Sequence, residues 1–424
     1  MTTKSAIQRR NFLKLTAGAG AVSFSPGCTR QTEASSAMGP SDEQLKQAAA
    51  EPVLKFRGIT TPVVIDSIRL LRKGDNYFIH VRSKDGAEGI SLDNGRATDF
   101  YPILNELIVP YFVGKDIRDL ETHLWELYRY KSNYKLQGLA FWTAQAWVEF
   151  AILDMLGRIS GKSIGQLLGD IVRRDVPFYV ASGRRDTTPL QEVEYLQKLI
   201  QETGAKAVKF RLGGRMSKNV DALPGRTKDL IALTRKTFGE AIDLHGDANS
   251  SYDPPQAIEI GRMLEEHKFL HYEEPCQFDD LEATKKVTDA LTIPVAGGEQ
   301  EFSEHRFRWM IYHRGVDIVQ PDLYYYGGMI RSLRVARMAA LAKMPTTVHL
   351  SGGFGFIYSL HFASIVPDVG PYQEYKEGIE KYADWFQPKL QIKNGALTVP
   401  QGPGVGITDI KGLLKGASEV IART

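Results

Sequence analysis

Apolar residues follow two different rhythms along this chain. Near the front, Val63-Val64-Ile65 and Ile68-Leu70-Leu71 lead into Lys73-Gly74-Asp75-Asn76, and Tyr77-Phe78-Ile79-His80-Val81 resumes the strand pattern. Gly-Asp-Asn is turn chemistry, so this stretch predicts a β-hairpin. From Asp99 to about Gly169 the spacing changes to three and four, through Ala144, Trp147, Val148, Ala151, Ile152 and Met155. That periodicity predicts helix. Residues 53–170 therefore read as an α+β unit.

From Val176 onward, short apolar runs alternate with helix-length segments. The runs are Phe178-Val180, Ala207-Phe210, Ile242-Leu244, Phe269-Tyr272, Val295-Ala296, Val316-Val319, Thr346-His349 and Tyr372-Tyr375. Repetition every ~25–35 residues predicts βα units, a parallel sheet and right-handed crossovers. About eight units over residues 171–375 predict a (β/α)₈ barrel. A doubly wound open sheet is the structural competitor. No G-x-G-x-x-G follows the first run, which weakens a dinucleotide-binding reading.

Composition narrows the class. Of 424 residues, 43% are apolar and 24% charged, ordinary for a globular protein. No apolar run reaches the ~18 residues of a membrane span, so none is expected. Cys28 and Cys276 are the only cysteines, which excludes a disulfide scaffold. A net charge of +3 gives no support for nucleic acid as a partner.

The charge is unevenly placed. Residues 1–30 hold Lys4, Arg9, Arg10, Lys14 and Arg30 and no acid, so the rest of the chain is slightly acidic. Gln8-Arg9-Arg10-Asn11-Phe12-Leu13-Lys14 precedes a mildly apolar stretch from Leu15 to Phe24. This resembles a twin-arginine signal and implies export to the periplasm. A disordered basic tail is the alternative. Cys28 follows Ser25-Pro26-Gly27, where a lipoprotein site normally has Leu three residues earlier. A lipid anchor at Cys28 stays open on that ground. If Cys28 leaves with the leader, Cys276 alone remains and no internal disulfide can form. Residues 31–52, rich in Ala, Ser, Gln and Glu, predict a linker.

The strand ends carry the chemistry. Asp247, Glu273 and Glu299 end three successive predicted strands, each 26 residues after the last. Equal spacing on successive barrel units would bring the three carboxylates to one point. Bare, they would repel; as hard oxygen ligands they suit a divalent cation such as Mg²⁺. Lys209 and Arg211 alternate on strand two and would face the same side. Strand six ends in Gln320-Pro321-Asp322 and strand seven in Val348-His349-Leu350. An Asp beside a His orients the imidazole and suits it to act as a general base. His245, inside strand three, reads as a core residue.

Together these motifs resemble the enolase superfamily, in its mandelate racemase-like branch. The resemblance spans about residues 60–415. It includes Ala151-Ile152-Leu153-Asp154-Met155-Leu156-Gly157, Val208-Lys209-Phe210-Arg211, Gly246-Asp247-Ala248-Asn249, Glu273-Glu274-Pro275, Gly298-Glu299, Gln320-Pro321-Asp322, His349 and Pro403-Gly404-Val405-Gly406. It implies a modified (β/α)₈ barrel under an α+β cap, which residues 376–424 return to complete. It implies Mg²⁺ on Asp247, Glu273 and Glu299, and a His349/Asp322 dyad. Lys209 would neutralise the carboxylate of a small-molecule acid, and Glu374 would hydrogen-bond it. Family substrates lose an α-proton to give an enediolate that the metal stabilises. Family members are often dimers or octamers, so a homo-oligomer is expected.

One departure shapes the expected reaction. Racemases of this branch carry a second lysine, the base on the opposite face, where this chain has Arg211. Arginine is always protonated near neutrality. It anchors carboxylates or hydroxyls well and is a poor base. One base favours dehydration of a sugar acid to a 2-keto-3-deoxy acid, a hydro-lyase reaction. A racemase or epimerase of a 2-hydroxy or amino acid derivative is the runner-up, and a non-catalytic carbohydrate-binding homologue is third. Asn249 and the cap loop Ser91–Ala97, with Asp93, Asn94 and Arg96, are candidates for binding substrate hydroxyls. Tyr324-Tyr325-Tyr326 either lines the pocket or packs under its rim.

Overall fold

The structure, a computed structural model, describes residues 39–54 and 58–423. The twin-arginine stretch and Cys28 lie outside the described residues.

The stretch expected as a linker contains a docked helix. The Ser41 hydroxyl accepts the Gln44 amide proton and the Gln44 side chain accepts that of Ser41, which starts helix α1 (Asp42–Ala50). α1 buries Leu45 and Ala49, and Arg308 Nε donates to Asp42 at 2.8 Å. An Ala/Gln/Glu-rich composition suits a helix as well as a linker, and the capping box decides between them.

The hairpin forms as expected. β1 (Ile65–Lys73) and β2 (Asn76–Ser83) pair antiparallel, closing at Lys73↔Asn76 around Gly74, whose φ is +60°. β3 (Glu88–Leu92) pairs with β2, and the C-terminal strand Ser418–Arg423 pairs with β1. The end of the chain thus completes the cap sheet.

Against this sheet lies helix α2 (Leu139–Ser160), buried on all sides from Phe141 to Gly157. The three- and four-residue spacing predicts this helix, and the structure sandwiches it. It packs on β2 and β3 and also touches a barrel helix. Among the described residues it is the one helix long and apolar enough to cross a membrane, yet almost all of it is enclosed by protein. Its interior acids, Glu149 and Asp154, keep the sequence from showing one unbroken apolar run.

The barrel strands run in sequence order: β4 (Asp175–Ala181), β5 (Ala207–Arg211), β6 (Asp243–Asp247), β7 (His271–Glu273), β8 (Val295–Gly297) and β9 (Ile318–Val319). Each pairs in parallel with the next. The seventh unit is held by bridges rather than a full strand, Val319↔Thr346 and Asp322↔His349. β10 (Gln373–Tyr375) pairs in parallel with β4. Between the strands run helices α3 (Pro189–Thr203), α4 (Arg226–Phe238), α5 (Pro254–Glu266), α6 (Leu281–Ala290), α7 (Glu304–Tyr312), α8 (Met329–Leu341) and α9 (Gly355–Ile365). A short 3₁₀ helix (Ile379–Trp385) follows β10 before the chain returns to the cap sheet. This is the modified barrel that the βα rhythm predicts, and its strand ends all open on one face.

Candidate active site

Side chains alternate along a strand, so Lys209 and Arg211 share one face of β5. Asp247 ends β6, Glu273 ends β7, and Glu299 lies two residues past β8. Parallel register sets these ends side by side, with Arg211↔Asp247 and Asp247↔Glu273 as direct partners. One oxygen from each of Asp247, Glu273 and Glu299 lies within 4.8 Å of the others, and all three residues are buried.

Cations are interleaved with these acids. Lys209 Nζ sits 2.7 Å from Glu273, 3.1 Å from Glu374 and 3.7 Å from Asp247. Arg211 forms a close ion pair with Asp247. Burial alone would pull the Lys209 ammonium down; Glu273 and Glu374 outweigh it and hold the pKa well above the usual lysine range. The same pairing keeps Glu273 well below the usual carboxylate range, although burial pushes it up. Gln320 Nε2 donates to Glu273 at 2.9 Å, and the Asn249 amide donates to Asp247 at 2.9 Å.

These residues fit a divalent cation. The donors are hard oxygens, Glu273 is held ionised, and Glu299 Oε2 is buried with no hydrogen-bond donor on it. That oxygen faces His349 Nε2 at 3.3 Å. The other ring nitrogen, Nδ1, lies 2.8 Å from Asp322 Oδ2. Asp322 Oδ1 accepts the amide protons of Tyr324 and Tyr325, both at 2.8 Å, and the Ser351 hydroxyl at 3.0 Å. With Oδ1 occupied by these donors, Asp322 accepts a hydrogen bond from Nδ1–H through Oδ2, which leaves Nε2, facing Glu299, as the ring's acceptor.

The remaining expectations divide. Glu374 joins the cluster, but its Oε2 accepts the Leu350 amide at 2.9 Å, so it also fixes the seventh unit. Asn249 sits at the site with φ +40° and donates to Glu274 at 3.3 Å. Glu274 is pushed well above the carboxylate range by burial and then by Glu299 and Glu273. Arg96 stands outside the inner cluster, half exposed and paired with Asp99 at 3.2 Å. Asp93 is buried and accepts the Ala97 amide, which caps its own loop. Asn94 donates to Ser351 at 3.1 Å, so the cap loop reaches the barrel loop beside the dyad. Tyr324 and Tyr326 are packing residues, fully buried, while Tyr325 is partly open beside Arg96. His245 is a core residue packed against His271, as its mid-strand position implied.

Two site residues were missed. Lys376 Nζ lies 3.3 Å from His349 Nε2. It stands two positions after Glu374, so strand alternation was an available signal. Arg185, in the loop after β4, donates to Asn249 at 2.5 Å. Nothing in a loop's pattern announces it.

Residues 191–409 match the enolase C-terminal domain-like family, and residues 57–169 match the mandelate racemase/muconate lactonizing enzyme N-terminal domain. The chain belongs to the mandelate racemase-like branch of the enolase superfamily. It is 28% identical to an arabinonate dehydratase of Saccharolobus solfataricus, over 77% of this chain and 86% of that one. It is also 28% identical to a D-galactonate dehydratase of Xanthomonas campestris, over 81% of this chain and 91% of that one. A solved structure from Roseobacter denitrificans, named as a candidate racemase, is 34% identical with a TM-score of 0.77, covering 85% of this chain and 99% of that one.

Proposed function

We propose that this superfamily member is a Mg²⁺-dependent dehydratase of sugar acids, a hydro-lyase. Asp247, Glu273 and Glu299 would hold the ion. When bound, it supplies a fixed positive charge beside the substrate carboxylate, where negative charge grows as the α-proton leaves. His349 Nε2 takes that proton while Asp322 keeps the ring in the required tautomer. Lys209 and Arg211 hold the carboxylate oxygens, and Glu374 fixes Lys209. The C3–O bond then breaks, the departing hydroxyl receives the proton from His349 and leaves as water, and the enol tautomerises to a 2-keto-3-deoxy acid.

The observation that carries this reading is the asymmetry between the two faces. His349 presents its Nε2 lone pair on one side, with Lys376 Nζ 3.3 Å from it, and Arg211 pairs with Asp247 on the other. Elimination needs one base; two-base racemisation needs a second, which Arg211 cannot be at neutral pH. The dehydratase relatives at 28% identity support the same chemistry. An intact acid triad and dyad disfavour a non-catalytic binding role. The basic leader supports export, and a twin-arginine route would carry the chain folded.

The test incubates purified protein and Mg²⁺ with a panel of aldonic and aldaric acids. A 2-keto acid product, lost in His349→Asn, is expected. α-Proton exchange with inversion and no keto product would instead select the racemase reading.

A further inference from the structure

The loop between β4 and α3 is fixed firmly for a loop. Arg226 is fully buried at the start of α4 and reaches across it. Its Nε donates to the Thr187 carbonyl at 2.7 Å, Nη1 to the Arg211 carbonyl at 2.8 Å, and Nη2 to the Arg184 carbonyl at 3.3 Å. Buried Glu192 faces Arg226 at 3.8 Å and accepts the Thr187 hydroxyl at 2.8 Å. The loop is thereby pinned to the end of β5, and with it Arg185.

Arg185 itself has an unbalanced environment. Nη2 donates to Asn249 Oδ1, a neutral amide, and Nε is buried with no hydrogen-bond partner. Asn249 is held in place by its bonds to Glu274 and Asp247. The charges acting on Arg185 are Arg211, Arg215 and Arg226, all of its own sign, against Glu299. Glu299 belongs to the acid triad and would be committed to the metal. Burial first, and then the three arginines, pull the Arg185 guanidinium down to about 9. A part-buried guanidinium with a neutral partner and like-charged neighbours gains most from an anion that arrives with the substrate. Its free Nε and its Nη2 lie on one edge of the planar group, the edge that grips a carboxylate in two-point fashion.

We propose that Arg185 is a subsite for a second carboxylate, at the end of the substrate away from the metal, so that the protein prefers sugar diacids to monoacids of the same length. This rests on the sugar acid reading above. Lys209 and Arg211 would hold the first carboxylate, and the pinned loop would set the distance to the second.

The experiment compares Mg²⁺-loaded wild type and Arg185→Met on hexaric and hexonic acids of matched configuration, such as galactarate and galactonate, and on 6-phosphohexonates. Wild type is expected to favour diacids at least about tenfold in kcat/KM. Arg185→Met should lower the diacid value about a hundredfold, chiefly through KM, and the monoacid value less than about threefold. Equal losses on both, or a wild-type preference for monoacids, overturns the proposal. Higher kcat/KM on the phosphorylated acids assigns the subsite to phosphate and overturns the carboxylate. Arg185→Gln serves as the second variant if Arg185→Met does not fold. If no sugar acid turns over, the dehydratase reading fails by itself, and calorimetric binding of galactarate against galactonate judges the subsite. Tighter galactarate binding that Arg185→Met or Arg185→Gln abolishes supports it, and equal binding refutes it.

Discussion

Asp154 accepts the amide proton of Val405 at 2.7 Å, across 251 residues of sequence. Its other oxygen accepts the Ile90 amide at 2.9 Å and Arg158 Nε at 2.8 Å. One buried carboxylate on α2 thus ties the cap sheet to the returning C-terminal segment. The close approach needs glycine at two positions: a Cβ on Gly157 would strike the Gly404 backbone, and one on Gly404 would strike Asp154 itself. Asp154→Ala leaves two buried amides and a guanidinium without their acceptor. The expected loss is on the order of 3–5 kcal/mol in a denaturant titration. A loss under about 1 kcal/mol would show that the tie is dispensable.

The dyad predicts a graded series. His349→Asn removes the base and should abolish turnover. Asp322→Asn keeps the shape but no longer favours the Nδ1-protonated tautomer, and should lower kcat at least about a hundredfold. Ser351 donates to Asp322 and accepts from Asn94, so it links the cap loop to the dyad. Ser351→Ala should cost only about three- to tenfold in kcat, because two backbone amides still hold Asp322. A Ser351→Ala loss as large as that of Asp322→Asn would contradict this order.

Metal removal should act on stability as well as on activity. Ligand that binds only the folded state raises the melting point with concentration. EDTA-treated protein is expected to lose activity, and Mg²⁺ should restore it and raise Tm. Glu299→Gln is the informative variant, since Glu299 Oε2 has no donor in the structure and Lys209 does not rely on it. The variant should fold and should lose most of the Mg²⁺-dependent rise in Tm. An unchanged rise would remove Glu299 from the metal site.

The acid triad was legible because a barrel writes position into sequence. A short apolar run marks a strand, and the acid that follows marks its open end. The pairing of Asp154-Met155-Leu156-Gly157 with Pro403-Gly404-Val405-Gly406 was visible only as two motifs, and the Asp154 bonds supply its physical cause. Arg185 was not legible, because its placement depends on Arg226 and Asn249, contacts that no local pattern carries. The contacts of Asp93 and Arg96 were not legible for a related reason. A polar loop looks alike whether its side chains face a ligand or, like Asp93, cap their own backbone. The burial of α2 on all sides was not legible because its two interior acids interrupt the apolar run.

One of those acids, Glu149, gives the clearest pH prediction. It is fully buried on α2, and its Oε1 accepts the Ile330 amide at 3.0 Å where α8 begins. Gly328, at φ +115°, leaves the room that the carboxyl occupies, and a Cβ there would collide with it. Burial pushes Glu149 up from 4.5 to about 8, against the weaker opposite pull of the Ile330 and Met329 amides. The folded protein therefore holds a proton that the unfolded chain releases above about pH 4.5. The stability this provides is fully present below pH 4.5 and is lost as pH rises toward 8. Above 8 both states are ionised and the effect is level. Glu149→Gln keeps the size and the acceptor for Ile330 but has no proton to lose. Relative to wild type, the variant should gain on the order of a few kcal/mol of unfolding free energy between pH 5 and pH 8. Denaturant titrations of both proteins across that range check it. A difference that stays constant with pH would mean Glu149 is already ionised in the folded core.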